Sequence, residues 1–417
     1  MSPLSFLAVL LCLASVFGLL NRRFLRLPGT IGLTVVALVA SLFAIGLGDL
    51  FPWLNLRLAL QDILGIRELP DTLLNGVLCF LLFAGTLQVD VSALWSRKIT
   101  VFLLATAAVV IATVLFGSGI YAAFALAGVG MPFSWALVLG AILAPTDPVA
   151  VSAILARVGL SKQLQAIMAG ESLFNDGVAV VLFQAALAYA TGKQPTFGSI
   201  GLDFLREMGG GVIVGAASGW IAYLAMKRID EYPLEITISL ALASGSYALA
   251  NALGASGPIA VVLAGLLIGS RGRRKAMSEE TRRNLALFWS VIDEILNSLL
   301  FLLIGFEMLG LARLGSSTLL VMAFAIPLSL AVRAASIVGT ALWLHARNPN
   351  RWPAIAILTW GGLRGGVSVA LALSTGSSEW KSELLAICYA VVVFSIVVQG
   401  LTLQRVVGLT HFKDQVR

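Results

Sequence analysis

The sequence is short of nearly everything that water-facing chemistry uses. Charged residues fill only 12% of its 417 positions, about half the share of an ordinary soluble domain. There are 2 histidines and 3 cysteines. Cys12, Cys79 and Cys388 stand singly inside apolar runs, with no metal spacing and no disulfide frame. His345 and His411 fall at expected helix ends. These shortages exclude a histidine- or cysteine-based metal site and a histidine triad. Low-complexity tracts and short-period repeats are also missing, and so few charges among so many apolar residues exclude disorder.

What remains is apolar. Hydrophobic residues make up 59% of the chain, and its mean hydropathy is +0.96. A soluble fold of this length cannot hide that much apolar surface, so the chain reads as an all-α membrane protein with the lipid bilayer as its solvent. A spanning helix with its loop takes roughly 30 residues, which leaves room for about 13 transmembrane helices and no sizeable soluble domain. Apolar runs place them at roughly 4–20, 30–49, 69–89, 99–127, 132–156, 163–190, 201–226, 233–252, 257–270, 284–310, 315–344, 353–374 and 383–406. Residues 51–68, with Arg57, Asp62 and Arg67, read as an interfacial connection. The first run lacks a basic leader and a small-residue cleavage site, so it reads as a helix and not a signal peptide. Trp53, Trp95, Trp135 and Trp352 read as anchors at the membrane interface.

Lys and Arg number 28 against 21 Asp and Glu, a formal charge of +7. On this chain the excess reflects basic loops on one membrane face, with no nucleic acid partner. If the first helix enters from outside, the inner segments hold 20 of the 28 basic residues and the outer ends 6, with Arg333 and Arg364 inside spans. That split predicts an N-out/C-in topology. The most basic loop is 271–283. No C-terminal regulatory domain is expected after the last span.

Two spans carry sequences that a regular helix tolerates poorly. The fifth contains Ala144-Pro145-Thr146-Asp147-Pro148, whose two prolines remove two backbone donors. The twelfth contains Gly361-Gly362-Leu363-Arg364-Gly365-Gly366. Close helix packing would explain the glycines but not the arginine. The breaks are seven helices apart, the separation expected of equivalent elements in two inverted six-helix repeats joined by one helix. Paired interrupted helices point to a transport site at the membrane midplane.

The sixth span carries Gly170-Glu171-Ser172-Leu173-Phe174-Asn175-Asp176-Gly177. Ionisable groups at this depth cost roughly 2.5–3.5 kcal/mol each on insertion scales and default to a functional reading. Glu171 and Asn175 share one helix face, and Ser172 and Asp176 the adjacent one. The result is a strip of oxygen atoms suited to a hard monovalent cation, with no sulfur or imidazole. Glu171 reads chiefly as half of a buried ion pair, with Arg333 as first partner and Arg364 as second. Asp176 and Asp147 are the deep carboxylates left for an ion. Asp293 and Glu294 read as structural ahead of pore-lining, and Glu307 as snorkelling.

Taken in order, Thr146-Asp147-Pro148, the Gly-Glu-Ser-Leu-Phe-Asn-Asp-Gly run, Phe288-Trp289 with Asp293-Glu294-Ile295-Leu296-Asn297, and Gly-Gly-Leu-Arg-Gly-Gly resemble the NhaP-type branch of the monovalent cation/proton antiporters, relatives of the animal sodium/hydrogen exchangers. The resemblance runs through nearly the whole chain. It implies a homodimer of 13-helix protomers in the cell membrane, a bacterial-type inner membrane. Each protomer would have a mobile core domain around helices 4–6 and 11–13, with crossed discontinuous helices 5 and 12, and a dimerisation domain from the remaining helices. It implies that Asp147, Asp176, Ser172 and the carbonyl of Thr146 contact the ion, that Arg333 bridges Glu171, and that Asn175 helps organise the site. Arg364 would neutralise carbonyl ends at the crossing. Electroneutral members carry Asn-Asp on the sixth helix, as Asn175-Asp176 do here; electrogenic relatives carry Asp-Asp.

The function expected is exchange of Na⁺ or Li⁺ for H⁺, electroneutral and 1:1, serving pH and sodium homeostasis, with no cofactor beyond the transported ions. Oxygen ligands also suit K⁺, so a K⁺/H⁺ antiporter of the same fold is the alternative. A cation channel ranks lower, because no symmetric filter is visible. An intramembrane enzyme is disfavoured because no histidine or lysine base lies at the depth of Ser172. An organic-solute symporter would need a larger, mixed pocket than these small-ion ligands provide.

Overall fold

The computed structural model describes residues 3–51, 70–147, 160, 162–193, 197–272, 277–306, 315–344, 351–376 and 378–410. The segment 52–69 with Trp53, the continuation of the fifth expected span beyond Asp147, residues 273–276 of the basic loop, Glu307, His345 and His411 lie outside the described residues.

Among the described residues every regular element is a helix. In chain order these are α1 (Pro3–Leu20), α2 (Gly29–Leu50), α3 (Pro70–Gln88), α4 (Val91–Ser96), α5 (Lys98–Ala105), α6 (Ala107–Leu126), α7 (Phe133–Ile142), α8 (Lys162–Ala190), α9 (Phe197–Met226), α10 (Tyr232–Ala252), α11 (Gly257–Leu267), α12 (Glu279–Phe306), α13 (Ser316–Leu344), α14 (Arg351–Trp360), α15 (Gly366–Leu373), α16 (Lys381–Phe394) and α17 (Gly400–Leu409). Eight helical stretches among them are long and apolar enough to cross a membrane. Shorter apolar helices cover Gly76–Gln88, Phe133–Ile142 and Gly257–Ser270.

The apolar runs set where helices form, and at two of the described helix starts a polar side chain caps the first turn. The Asp90 carboxylate accepts from the N–H groups of Ser92 and Ala93 at 2.9 and 3.2 Å, capping α4. Ser256 caps α11 through the N–H of Ile259. Among the described residues three π-helical turns interrupt the pattern, at Asn21–Leu25, Ile268–Gly272 and Ser395–Gln399. Such turns shift the backbone ladder by one residue and recur at functional sites.

The helices bury two main apolar clusters. One runs through α5 to α8 and α13 to α17, takes in Ile31 of α2, Leu81 of α3 and Leu300, Phe301 and Ile304 of α12, and is built on residues such as Ile120, Phe124, Leu139, Ile142, Ile357 and Tyr389. The other joins α3 with α9, α10, α11 and α12, around Phe83, Val261 and Trp289. A smaller cluster holds α1 and α2 against α12. Large apolar side chains cover the outside, including Ile213 and Leu320 at 70% and 68% exposure. Hydrocarbon tails, not water, are the physically consistent neighbours for such a surface.

One expected interface anchor is misplaced. Trp135 is buried, because α7 is enclosed by α6, α8, α15 and α16. Which neighbours its helix would meet is a property of packing that the position of Trp135 in the sequence does not reveal. Trp95 is exposed, with the Lys98 ammonium 4.6 Å from its ring centroid, and Trp352 is exposed as well.

Candidate ion-binding site

Helical geometry stops at both expected breaks. Helix α7 stops at Ile142, and Ala144 to Asp147 continue without helical geometry. Pro145 has no N–H to extend the ladder. Helix α14 stops at Trp360, and α15 starts at Gly366. The two interrupted stretches cross, and the Asp147 N–H donates to the Leu363 carbonyl at 2.8 Å. A backbone bond between segments more than two hundred residues apart thus replaces one that each helix lost.

Arg364 completes the crossing. Its guanidinium donates to the carbonyls of Ala144 and, at 2.7 Å, Pro145. These carbonyls lie just past the C-terminal end of α7, where partial negative charge collects. A buried cation there offsets that charge. The Arg364 N–H donates to Ser395 Oγ at 2.9 Å, and Gln399 Nε2 donates to the Trp360 carbonyl at 3.0 Å. Both partners belong to the π-helical turn between α16 and α17. That turn therefore closes hydrogen bonds left open by the break.

The glycines serve close approach more than unusual backbone angles. The glycines with positive φ are Gly128, Gly192, Gly254 and Gly376, none of them in the break. A Cβ at Gly365 would overlap the Asp147 carboxylate, and one at Gly362 would meet the Arg333 guanidinium.

Helix α8 runs past this crossing with Glu171, Ser172, Asn175 and Asp176 all buried. The hydroxyls of Thr146 and Ser172 share a hydrogen bond at 2.9 Å, and Asn175 Nδ2 donates to Thr146 Oγ1 at 2.9 Å. Glu171 is held in a two-pronged pair by Arg333 of α13: Nη1 donates to Oε1, and Nη2 to Oε2 at 3.0 Å. Arg333 Nη2 also reaches the Leu358 carbonyl at 3.4 Å. Arg364 serves the α7 carbonyls instead, so the two arginines have separate tasks.

Asp176 is only 2% exposed, and its Oδ1 has no hydrogen-bond partner among the described residues. The same holds for Asn175 Oδ1. Buried acceptors without donors are rare in folded proteins and call for an explanation such as an ion. Asp176 and Asp147 together face a cleft that is otherwise walled by α3, α12 and α15, through residues including Leu81, Leu300 and Val367. Its walls draw on both main apolar clusters, with Leu81 and Leu300 from the first and Leu82 from the second. All its oxygen donors are hard, which suits a monovalent cation exchanging with a proton.

The structure thus gathers Thr146, Asp147, Ser172, Asn175 and Asp176 around the crossing, with the Glu171–Arg333 pair beside them and Arg364 locking the breaks. Asp293 is half-buried and Glu294 exposed. Residues that sequence reasoning passed over are Ser395 and Gln399, which only the π-helical turn brings in, and Asn297, which lines the cleft. A neutral amide four residues after Asp293 carries no local signal of its own, since its neighbours Asp293 and Glu294 bear the charge.

A sequence model described as "Sodium/hydrogen exchanger, transmembrane" matches residues 9–408. The chain belongs to the sodium/hydrogen exchanger family. It is 44% identical to the Na(+)/H(+) antiporter NhaP of Pseudomonas aeruginosa over 407 residues, covering 96% of this chain and 95% of that one. It is 35% identical to the Na(+)/H(+) antiporter NhaH of Halobacillus aidingensis, covering 96% and 97%. Its fold matches the sodium proton antiporter MjNhaP1 of Methanocaldococcus jannaschii with a TM-score of 0.74, at 18% identity and 98% coverage of both chains. The NhaP-type resemblance read from the motifs is therefore correct, and this family member is a multi-pass membrane protein.

Proposed function

We propose that this exchanger-family chain moves Na⁺ or Li⁺ against H⁺ across a bacterial-type cell membrane, and so serves pH and sodium homeostasis. The observation that carries the reading is Asp176: a buried carboxylate with an unpartnered oxygen, facing Asp147 where two broken helices cross. One such carboxylate can hold a proton or a cation, but not both at once. The transported cation sits against Asp147, Asp176, Ser172 and the Thr146 carbonyl, with Asn175 and the Thr146 hydroxyl keeping Ser172 in place. Glu171 is taken up by its two-pronged pair with Arg333 and is assigned no part in the exchange of protons. One proton then leaves for each cation bound, and exchange is electroneutral.

The same reading assigns 13 spans in an N-out/C-in arrangement, two inverted repeats, and a homodimer. It also assigns a core domain around helices 4–6 and 11–13 and a dimerisation domain from the remaining helices, with the cleft as the sliding boundary. Alternating access is rigid-body movement of one against the other. The empty, charged core is penalised in that movement, and the loaded core is not.

The test is exchange by the purified protein in vesicles carrying an internal pH dye. Asp176→Asn and Asp147→Asn each abolish cation-driven proton movement while the melting temperature stays near that of the parent. Retained exchange in Asp176→Asn overturns the site.

A further inference from the structure

The cleft holds one polar side chain for which the exchange cycle above has no role. Asn297 projects from α12, on the wall opposite Asp147 and Asp176, and is 2% exposed. Its amide orientation is set by chemistry. Nδ2 donates to the main-chain carbonyl of Asp293 at 2.7 Å and to the Asp293 carboxylate at 3.0 Å. Both of those groups are acceptors, so only the NH₂ end can face them. The carbonyl end is turned away, and Asn297 Oδ1 has no hydrogen-bond partner among the described residues.

Asp293 lies beside Gln88, the last residue of α3. Helices α3 and α12 wall the cleft opposite the crossing. Burying an amide while leaving its oxygen unsatisfied forfeits the hydration of that oxygen with nothing in return. A structural asparagine that only tied Asp293 to the helix would have no reason to carry that cost inside a cleft shared with two carboxylates.

We propose that Asn297 supplies a further oxygen to the transported cation, and that Asp293 is the positioning residue that aims it. The proposal rests on the ion site assigned above. A cation giving up water needs oxygen dipoles in its place, and neutral carbonyls provide them. A carboxylate serves cation and proton alike. An amide oxygen serves the cation and barely binds a proton, so it tilts the competition toward the cation. Its position on the wall opposite α8 also means that the ion is fully coordinated only when that wall is near. Cation binding and closure of the cleft are then linked.

The experiment is a Na⁺ titration of exchange in vesicles at fixed pH. Losing one oxygen to a charged ligand corresponds to about a tenfold rise in KM for Asn297→Ala, with the maximal rate within about twofold of the parent. Asp293→Leu leaves the amide free to rotate and raises KM in the same direction, and Asp293→Asn, which keeps an acceptor oxygen, recovers it. Because the two act through one oxygen, the Asp293→Leu/Asn297→Ala double variant is no worse than Asn297→Ala. An unchanged KM in folded Asn297→Ala overturns the proposal. So does a fall in maximal rate alone, or additive effects in the double variant. Should Asn297→Ala fail to fold, the Asp293→Leu and Asp293→Asn comparison decides by itself. Exchange that persists in Asp176→Asn would sink the underlying site instead, whereas a dead Asp176→Asn beside an unaltered Asn297→Ala sinks only this inference.

Discussion

Glu171 and Ser172 are chain neighbours on α8, equally deep and both buried, yet their removal should have very different consequences. Truncating Glu171 to alanine leaves the Arg333 guanidinium, 6% exposed, without its counter-charge. The remaining contact is the 3.4 Å bond from Nη2 to the Leu358 carbonyl, and Nε has no partner among the described residues. A stranded charge of this kind costs about 3–5 kcal/mol. Ser172→Ala removes one hydroxyl bond to Thr146, whose oxygen still accepts from Asn175. That loss is about 1 kcal/mol. The expected gap between the variants is therefore about 2–4 kcal/mol, readable as a clearly lower melting temperature for Glu171→Ala in detergent. A third variant isolates the cause. Glu171→Leu combined with Arg333→Met removes both charges and fills similar volume, and apolar replacement of a buried pair is often neutral. The double variant should recover most of the lost stability. Equal melting of Glu171→Ala and Ser172→Ala, or a double variant no better than Glu171→Ala, would refute the reasoning and make Glu171 a solvated or ion-binding group.

Further tests address the cycle and the crossing. With potassium and valinomycin setting the voltage across vesicles, an exchange of one cation for one proton should ignore the imposed potential. An uncompensated charge would feel about 2.3 kcal/mol per 100 mV, so end-point gradients that follow the voltage would require Asp147 or Glu171 to release a second proton. Gly365→Ala should abolish or severely reduce transport, since its Cβ falls on the Asp147 carboxylate; wild-type rates in that variant would contradict the close approach at the crossing.

Much of this protein could be read from local pattern. Membrane residence follows from composition, because no arrangement of a chain this apolar makes it soluble. Helix positions follow from apolar runs of spanning length, and the described helices fall where those runs lie. Both interruptions follow from chemistry at single positions: Pro145 has no N–H, and glycines flank an arginine that has no reason to be in lipid. The acidic strip on α8 follows from four-residue spacing alone. What local pattern could not supply is which groups meet. Either arginine was a chemically reasonable partner for Glu171, and packing gave it Arg333 while sending Arg364 to the carbonyls past α7. The Asp147 N–H to Leu363 bond, the use of Gly362 and Gly365 as clearance for neighbouring side chains, and the burial of Trp135 are all relations between distant segments. The π-helical turn at Ser395–Gln399 is a local distortion, but it is stabilised by hydrogen bonds to the break and leaves no mark in hydrophobic periodicity. Asn297 illustrates the same division. Its residue type permits an oxygen aimed at an ion, and only the fold spends its NH₂ on Asp293, leaves Oδ1 without a partner among the described residues and brings the residue to the cleft lined by Asp147 and Asp176.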